Sequence, residues 1–157
     1  MTAFDPTQAS TPEAPPEPSE ELAALRAEVA RYRSTFALSA QGQAILDLGG
    51  HFLEVNPSLC RILGMAQAAV LGRHFTEVTH PADVARDTLA AAELLSGERT
   101  QHRREKRYLR PDGATVWAQV TSRLARDEQG QPQHFVAMVE DITERKAAEL
   151  ALREREA

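Results

Sequence analysis

The chain has 157 residues, a formal net charge of −5 and 26% charged residues, enough for one domain of ordinary size plus tails, with a composition that supports a folded core. The acidic balance argues against a general nucleic-acid-binding surface. The single cysteine, Cys60, excludes an internal disulfide and fits a reducing compartment, no apolar run approaches the roughly 18–20 residues of a membrane helix, and residues 1–20 lack the basic start and apolar centre of a signal peptide, so the expected location is cytoplasmic.

Residues 1–18 hold five of the nine prolines, several acids and no basic residue; such a segment buries too little apolar surface to offset its ordering entropy and is predicted to be a disordered leader. A helix is predicted over 19–40, with Ser19 as its cap and Glu20 and Glu21 complementing the helix dipole. Leu22, Leu25, Val29, Tyr32 and Phe36 step by three, four, three and four, the seam of a coiled coil with Leu22 at position a. In that register Glu21 and Glu28 fall at g and Arg26 and Arg33 at e, the offset that pairs charges across a parallel homodimer. The same residues would also serve a helix lying on its own domain.

Residues 41–142 read as one domain. Strands are predicted at 43–48 and 51–55 around a Gly49-Gly50 turn. Asn56-Pro57 starts a short helix, since Asn caps well and a proline at the first helical position forfeits no hydrogen bond. Leu59, Ile62 and Leu63 supply its buried side and Gly64 ends it. A further helical piece spans 65–70, and Phe75 and Val78 point inward. His80-Pro81, with Asp83 in the first turn, opens a helix through Val84–Leu95 that stops at Gly97. The stretch Glu105–Trp117 organises the second half of the domain: two strands, about 101–110 and 115–125, meet at Asp112-Gly113, which suits a tight type I′ turn. A last strand covers about 133–141.

The strand faces are legible from their period of two. Val116, Ala118, Val120 and Leu124 share one side and Trp117, Gln119, Thr121 and Arg123 the other; Phe135, Ala137 and Val139 oppose Val136 and Met138. Apolar residues on both faces mean that both are covered, one by the short helices, the other by the N-terminal helix or a partner subunit. The last segment, 143–157, is a charged helix with Thr143 as its cap and Glu149–Arg153 as an i,i+4 pair. The sequence stops without a helix-ending signal, as a piece of a longer protein would.

Four local motifs in this order resemble the PAS family over about residues 30–150: Asn56-Pro57 with its helix, His80-Pro81-Ala82-Asp83, the run Glu105-Lys106-Arg107-Tyr108 with Asp112-Gly113 and Trp117, and Asp141-Ile142-Thr143-Glu144-Arg145-Lys146. The resemblance implies an α+β fold: a five-stranded antiparallel sheet with short helices on one face, flanked by N- and C-terminal signalling helices. It also implies dimers and a place in sensor histidine kinases or cyclic-dinucleotide enzymes. Asp141, Ile142 and Thr143 are the candidate relay, since a strand that continues into a helix passes sheet movements to the helix base.

Flavin photoreceptors of the light-oxygen-voltage type resemble this fold and place a reactive cysteine after a Leu-Gly-Arg-Asn run. Here Leu71-Gly72-Arg73 is followed by His74 and Phe75, so Phe75 occupies the thiol position, and Cys60 reads as a small core residue. Haem-binding relatives use a histidine in the long helix, which Val84–Leu95 lacks; His80 reads as a cap. His51, His74, His102 and His134 show no metal-ligand spacing. Haem, flavin and metal are therefore not expected. An unknown small apolar ligand remains open, with Leu46, Phe52, Leu63, Phe75 and Val120 lining a cavity or simply filling it.

Gly49-Gly50 lacks the Lys-Ser/Thr of a phosphate loop, no histidine sits in a long helix followed by an acid, and no cyclase signature is present, so this chain is not expected to be an enzyme. Arg103-Arg104-Glu105-Lys106-Arg107 reads as a solvated strand edge or a set of ion pairs, not a nucleic-acid surface. The expected function is a non-catalytic sensory and dimerisation module passing a change through its last helix to an output domain. A ligand-free interaction adaptor and a haem- or flavin-based redox or gas sensor are the alternatives.

Overall fold

The computed structural model describes residues 10–15 and 17–157; the expected disordered leader falls partly on residues 1–9 and 16, which lie outside that range. The elements are α1 (Pro18–Leu38), β1 (Gly42–Leu46), β2 (Phe52–Val55), α2 (Pro57–Leu63), α3 (Gln67–Val70), two 3₁₀ turns (Phe75–Glu77 and Pro81–Asp83), α4 (Val84–Ser96), β3 (Gln101–Leu109), β4 (Thr115–Arg126), β5 (Pro132–Asp141) and α5 (Thr143–Glu156). The five strands form one antiparallel sheet in the order β2-β1-β5-β4-β3. β5 therefore lies at the centre, and β3, which carries the basic run, is an edge.

The α1 helix begins two residues earlier than a Ser19 cap implied. Pro18 takes the first position, where its fixed φ suits a helix start, and Ser19 lies within the first turn. Compact units divide the chain after Ser34. Leu22, Leu25, Val29 and Tyr32 are exposed along α1 and Phe36 is partly buried.

The inward residues follow the expected alternation. Val116, Ala118 and Val120 of β4 and Phe135 and Val139 of β5 are buried, and pack in one core with Leu59 and Leu63 of α2, Val70 of α3 and Leu94 of α4. Burying a leucine of this kind contributes about 1.5–3 kcal/mol. Cys60 packs against this core from a partly buried position. On the opposite face Leu53 and Met138 are exposed.

Asn56 fixes the start of α2 and much else. It has no exposed surface; its Oδ1 accepts from the Leu59 and Gln43 amides at 3.0 and 2.8 Å, and its Nδ2 donates to the Phe36 and Gln41 carbonyls at 3.0 and 2.9 Å. All four hydrogen-bonding positions of the side chain are thus occupied. The cap therefore also ties the end of α1 and the entry of β1 to α2. Gly64 closes α2 at φ 64° in the left-handed region, as its position implied.

The β3–β4 hairpin departs from the expected two-residue turn. Only Gly113 has positive φ, at 88°. The Arg110 amide donates to the Ala114 carbonyl at 2.8 Å and the Gly113 amide to the Arg110 carbonyl at 2.9 Å. Pro111 favours the first central position of a type I turn, and Asp112 stays out of the left-handed region while its carboxylate accepts from the Ala114 amide at 2.8 Å. The result is a longer loop finished by a left-handed glycine.

Candidate functional site

The basic run on β3 divides by alternation. Arg103 and Glu105 face outward, while Arg104, Lys106 and Tyr108 face the core. The expectation of a solvated edge fails for the inward pair: Lys106 is 2% exposed. The ion-pair half of that expectation holds, because Asp87 of α4, 3% exposed, pairs with both Arg104 and Lys106. Lys106 Nζ also donates to Thr79 Oγ1 at 2.8 Å and lies 4.6 Å above the Tyr108 ring. Burial pushes the Lys106 ammonium down to about 8, against the opposing pull of Asp87. Burial likewise pushes the Tyr108 phenol above its ordinary range, so it stays protonated.

A cavity of about 60 Å³ lies against this group, with Leu46, Phe52, Phe75, Leu94, Val120 and Phe135 as apolar wall and Asp87, Arg104, Lys106, Tyr108 and Ser122 as polar wall. Of the residues proposed for a cavity from sequence, Leu46, Phe52, Phe75 and Val120 are here; Leu63 is packed in the core instead. The polar wall was missed because Arg, Lys and Asp are mostly surface residues. A signal existed. A period of two back from Tyr108 puts Lys106 and Arg104 on its face, and Asp83, Asp87, Ala90 and Leu94 recur at helical spacing.

The edge of the sheet is clamped by Asp83, the buried acid of the His-Pro turn. Arg107 Nε and Nη2 donate to its two oxygens at 3.0 and 2.9 Å, and the Arg107 amide adds a third bond at 2.8 Å. This fork holds the Asp83 carboxyl below the usual carboxylate range. His80 caps the same turn, its Nδ1 accepting from the Ala82 amide at 3.1 Å. His51 and His74 sit edge to face at 5.1 Å beside the β1–β2 turn, and no group of three His, Cys, Asp or Glu that could hold a metal is found among the described residues.

The exit of the sheet is a second polar cluster. Ile142, 3% exposed, donates its amide to the Trp117 carbonyl at 2.9 Å. Thr143 is the first residue of α5 and not its cap, which is Ile142 with no side-chain bond. The Thr143 hydroxyl instead donates to Asp141 Oδ1 at 2.6 Å and accepts from the Trp117 amide at 3.2 Å, while the Thr143 amide donates to the same Asp141 oxygen at 2.9 Å. Glu105 pairs with Arg145 at 2.9 Å and with Lys146, and the hydrogen bond from Lys146 holds its carboxyl below the usual range. Lys146 and Arg107 lie 5.0 and 5.2 Å from the Trp117 ring. Asp141, Ile142 and Thr143 thus lie at one junction with Trp117, beside the Glu105 pairs to Arg145 and Lys146.

A family model described as PAS fold matches residues 36–147. The chain is 36% identical over 118 residues to the probable diguanylate cyclase DgcE of Escherichia coli, covering 75% of this chain and 11% of that protein. It is 29% identical over 129 residues to the sensor histidine kinase TmoS of Ectopseudomonas mendocina, covering 82% of this chain and 13% of that protein. The chain thus spans only about a tenth to an eighth of these relatives. Among solved structures, the PAS domain of an HTR-like protein from Haloarcula marismortui superposes with a TM-score of 0.62 at 29% identity, covering 79% of this chain and 99% of that one.

Proposed function

The chain belongs to the PAS-fold family, and on that premise we propose that it is a cytoplasmic, non-catalytic sensory and dimerisation module feeding an output domain through α5. The observation that carries this reading is the alternation on β3. Arg104 and Lys106 form the cavity wall, and Glu105 between them holds Arg145 and Lys146 of the exit helix. A ligand that moves β3 from inside shifts the base of α5 from outside. The named relatives, a diguanylate cyclase and a sensor histidine kinase, support an output of one of these two kinds.

The cavity's small volume supports a reading without haem or flavin. At about 60 Å³ it is well below the roughly 300–1,000 Å³ of pockets for drug-sized ligands, and among the described residues no histidine lines it. The exposed seam Leu22, Leu25, Val29 and Tyr32, continued by Phe36, supports a parallel homodimer through α1; Leu25→Glu with Val29→Glu should then sediment as a monomer.

The relay is tested by fusing the chain through α5 to a diguanylate cyclase domain and measuring product. Thr143→Val and Glu105→Gln should each alter cyclase output at unchanged protein level. Wild-type output from both variants refutes the relay.

A further inference from the structure

We propose that the cavity between the sheet and α4 selects a small monoanion with a short alkyl body, a short-chain monocarboxylate being the class that fits; this rests on the sensory reading of the same cavity. The charges on its wall do not balance. Arg104 and Lys106 face a single carboxylate, Asp87. The neighbouring acids face other cations: Asp83 holds Arg107 as a fork, and Glu93 lies 2.7 Å from Arg99 and 3.8 Å from His102, though its Oε2 makes no hydrogen bond and Glu93 is not part of the cavity wall. One positive charge is left on a wall whose Arg104 and Lys106 side chains are only 12% and 3% exposed, where an uncompensated charge is costly.

The hydrogen-bonding capacity is one-sided in the same sense. Both Asp87 oxygens are occupied, Oδ1 by Arg104 and Oδ2 by Lys106. Arg104 Nη1 donates to Ser122 Oγ at 3.3 Å, which leaves the serine hydroxyl hydrogen free to donate. Arg104 Nη2 and the Tyr108 hydroxyl, at the edge solvent reaches, have no partner among the described residues. What the wall still offers is donors, the complement of a carboxylate. The depressed Lys106 ammonium agrees with a cation that Asp87 alone does not fully compensate.

Size and lining set the rest of the molecule. About 60 Å³ holds roughly four water-sized groups, the scale of acetate or propionate. Leu46, Phe52, Phe75 and Phe135 suit an alkyl tail and offer nothing to a second carboxylate.

The test titrates the whole chain with sodium propionate, propionamide, n-propylammonium, succinate and chloride at constant ionic strength, following the thermal midpoint and binding heat. Propionate is expected to bind saturably, and propionamide, propylammonium and succinate about tenfold more weakly or not at all. Ala137→Leu, which fills the cavity, should abolish propionate binding in a folded protein, and Ser122→Ala should weaken it several-fold. If propionamide binds as well as propionate, the anion inference falls while the sensory reading of the cavity stands. Chloride saturating like propionate, succinate matching it, propionate binding unchanged in Ala137→Leu, or no binding across the panel each overturns the proposal; the cyclase fusion tests the relay independently of all of them.

Discussion

Asp87 and Glu105 each hold two cations, and they do so in opposite surroundings. Asp87 faces Arg104 and Lys106 beneath the sheet, at 2% side-chain exposure; Glu105 faces Arg145 and Lys146 on the outside, at 38%. The stoichiometry differs as well: Glu149 also approaches Arg145 and Lys146, at 3.8 and 3.6 Å, so the outer cluster sets two carboxylates against two cations, whereas Asp87 stands alone against two. Outside, the charges balance and solvent and salt screen them, so each pair there is weak. Inside, the imbalance persists as a field that a ligand can answer. The two clusters are one residue apart along β3, the adjacency on which the proposed relay rests.

The sharpest way to break this contrast is Asp87→Ala. It leaves two cations buried without a carboxylate and should cost about 3–5 kcal/mol in urea unfolding; a loss below about 1 kcal/mol would mean that the interior cluster is as screened as the exterior one. The next effect is pH-dependent. The folded Lys106 is depressed to about 8 from 10.5, so between these values the unfolded chain binds more protons. Stability should therefore rise with pH from about 8, by at most about 1.4 kcal/mol per unit. The buried Tyr108 phenol opposes this above its ordinary 10, since the unfolded phenol ionises there and the folded one does not. A rise from about pH 8 to 10 followed by a fall is expected in chemical denaturation. Lys106→Met, which still leaves Arg104 to balance Asp87, should remove the rise. The smallest expected effect is that of Glu105→Gln. It should barely move the denaturation midpoint, with any shift vanishing at high salt, while amide exchange in the first turn of α5 accelerates.

The parts of the fold governed by local chemistry were readable from residue order alone. Asn56-Pro57, Gly64, His80-Pro81 and Gly97 mark helix ends through backbone rules that operate whatever surrounds them, and the inward residues of β4 and β5 follow from strand period. The misread positions depended on partners far along the chain. Lys106 is buried because Asp87 and Thr79 meet it from other elements, and residue type pointed the other way. Thr143 gives up capping because Asp141 and Trp117 compete for its hydroxyl. Asp112 stays out of the left-handed region because Pro111 beside it steers the loop into a type I turn.

The direct run from β5 into α5, with only Ile142 between them, has a consequence for amplitude. α5 has 14 residues, about 21 Å at 1.5 Å each. A pivot of about five degrees at its base would swing its far end by roughly 2 Å on that geometry. In the proposed relay the short segment is a lever arm: displacements too small to disturb the packing of the sheet would arrive at Glu156 magnified to the width of a side-chain contact.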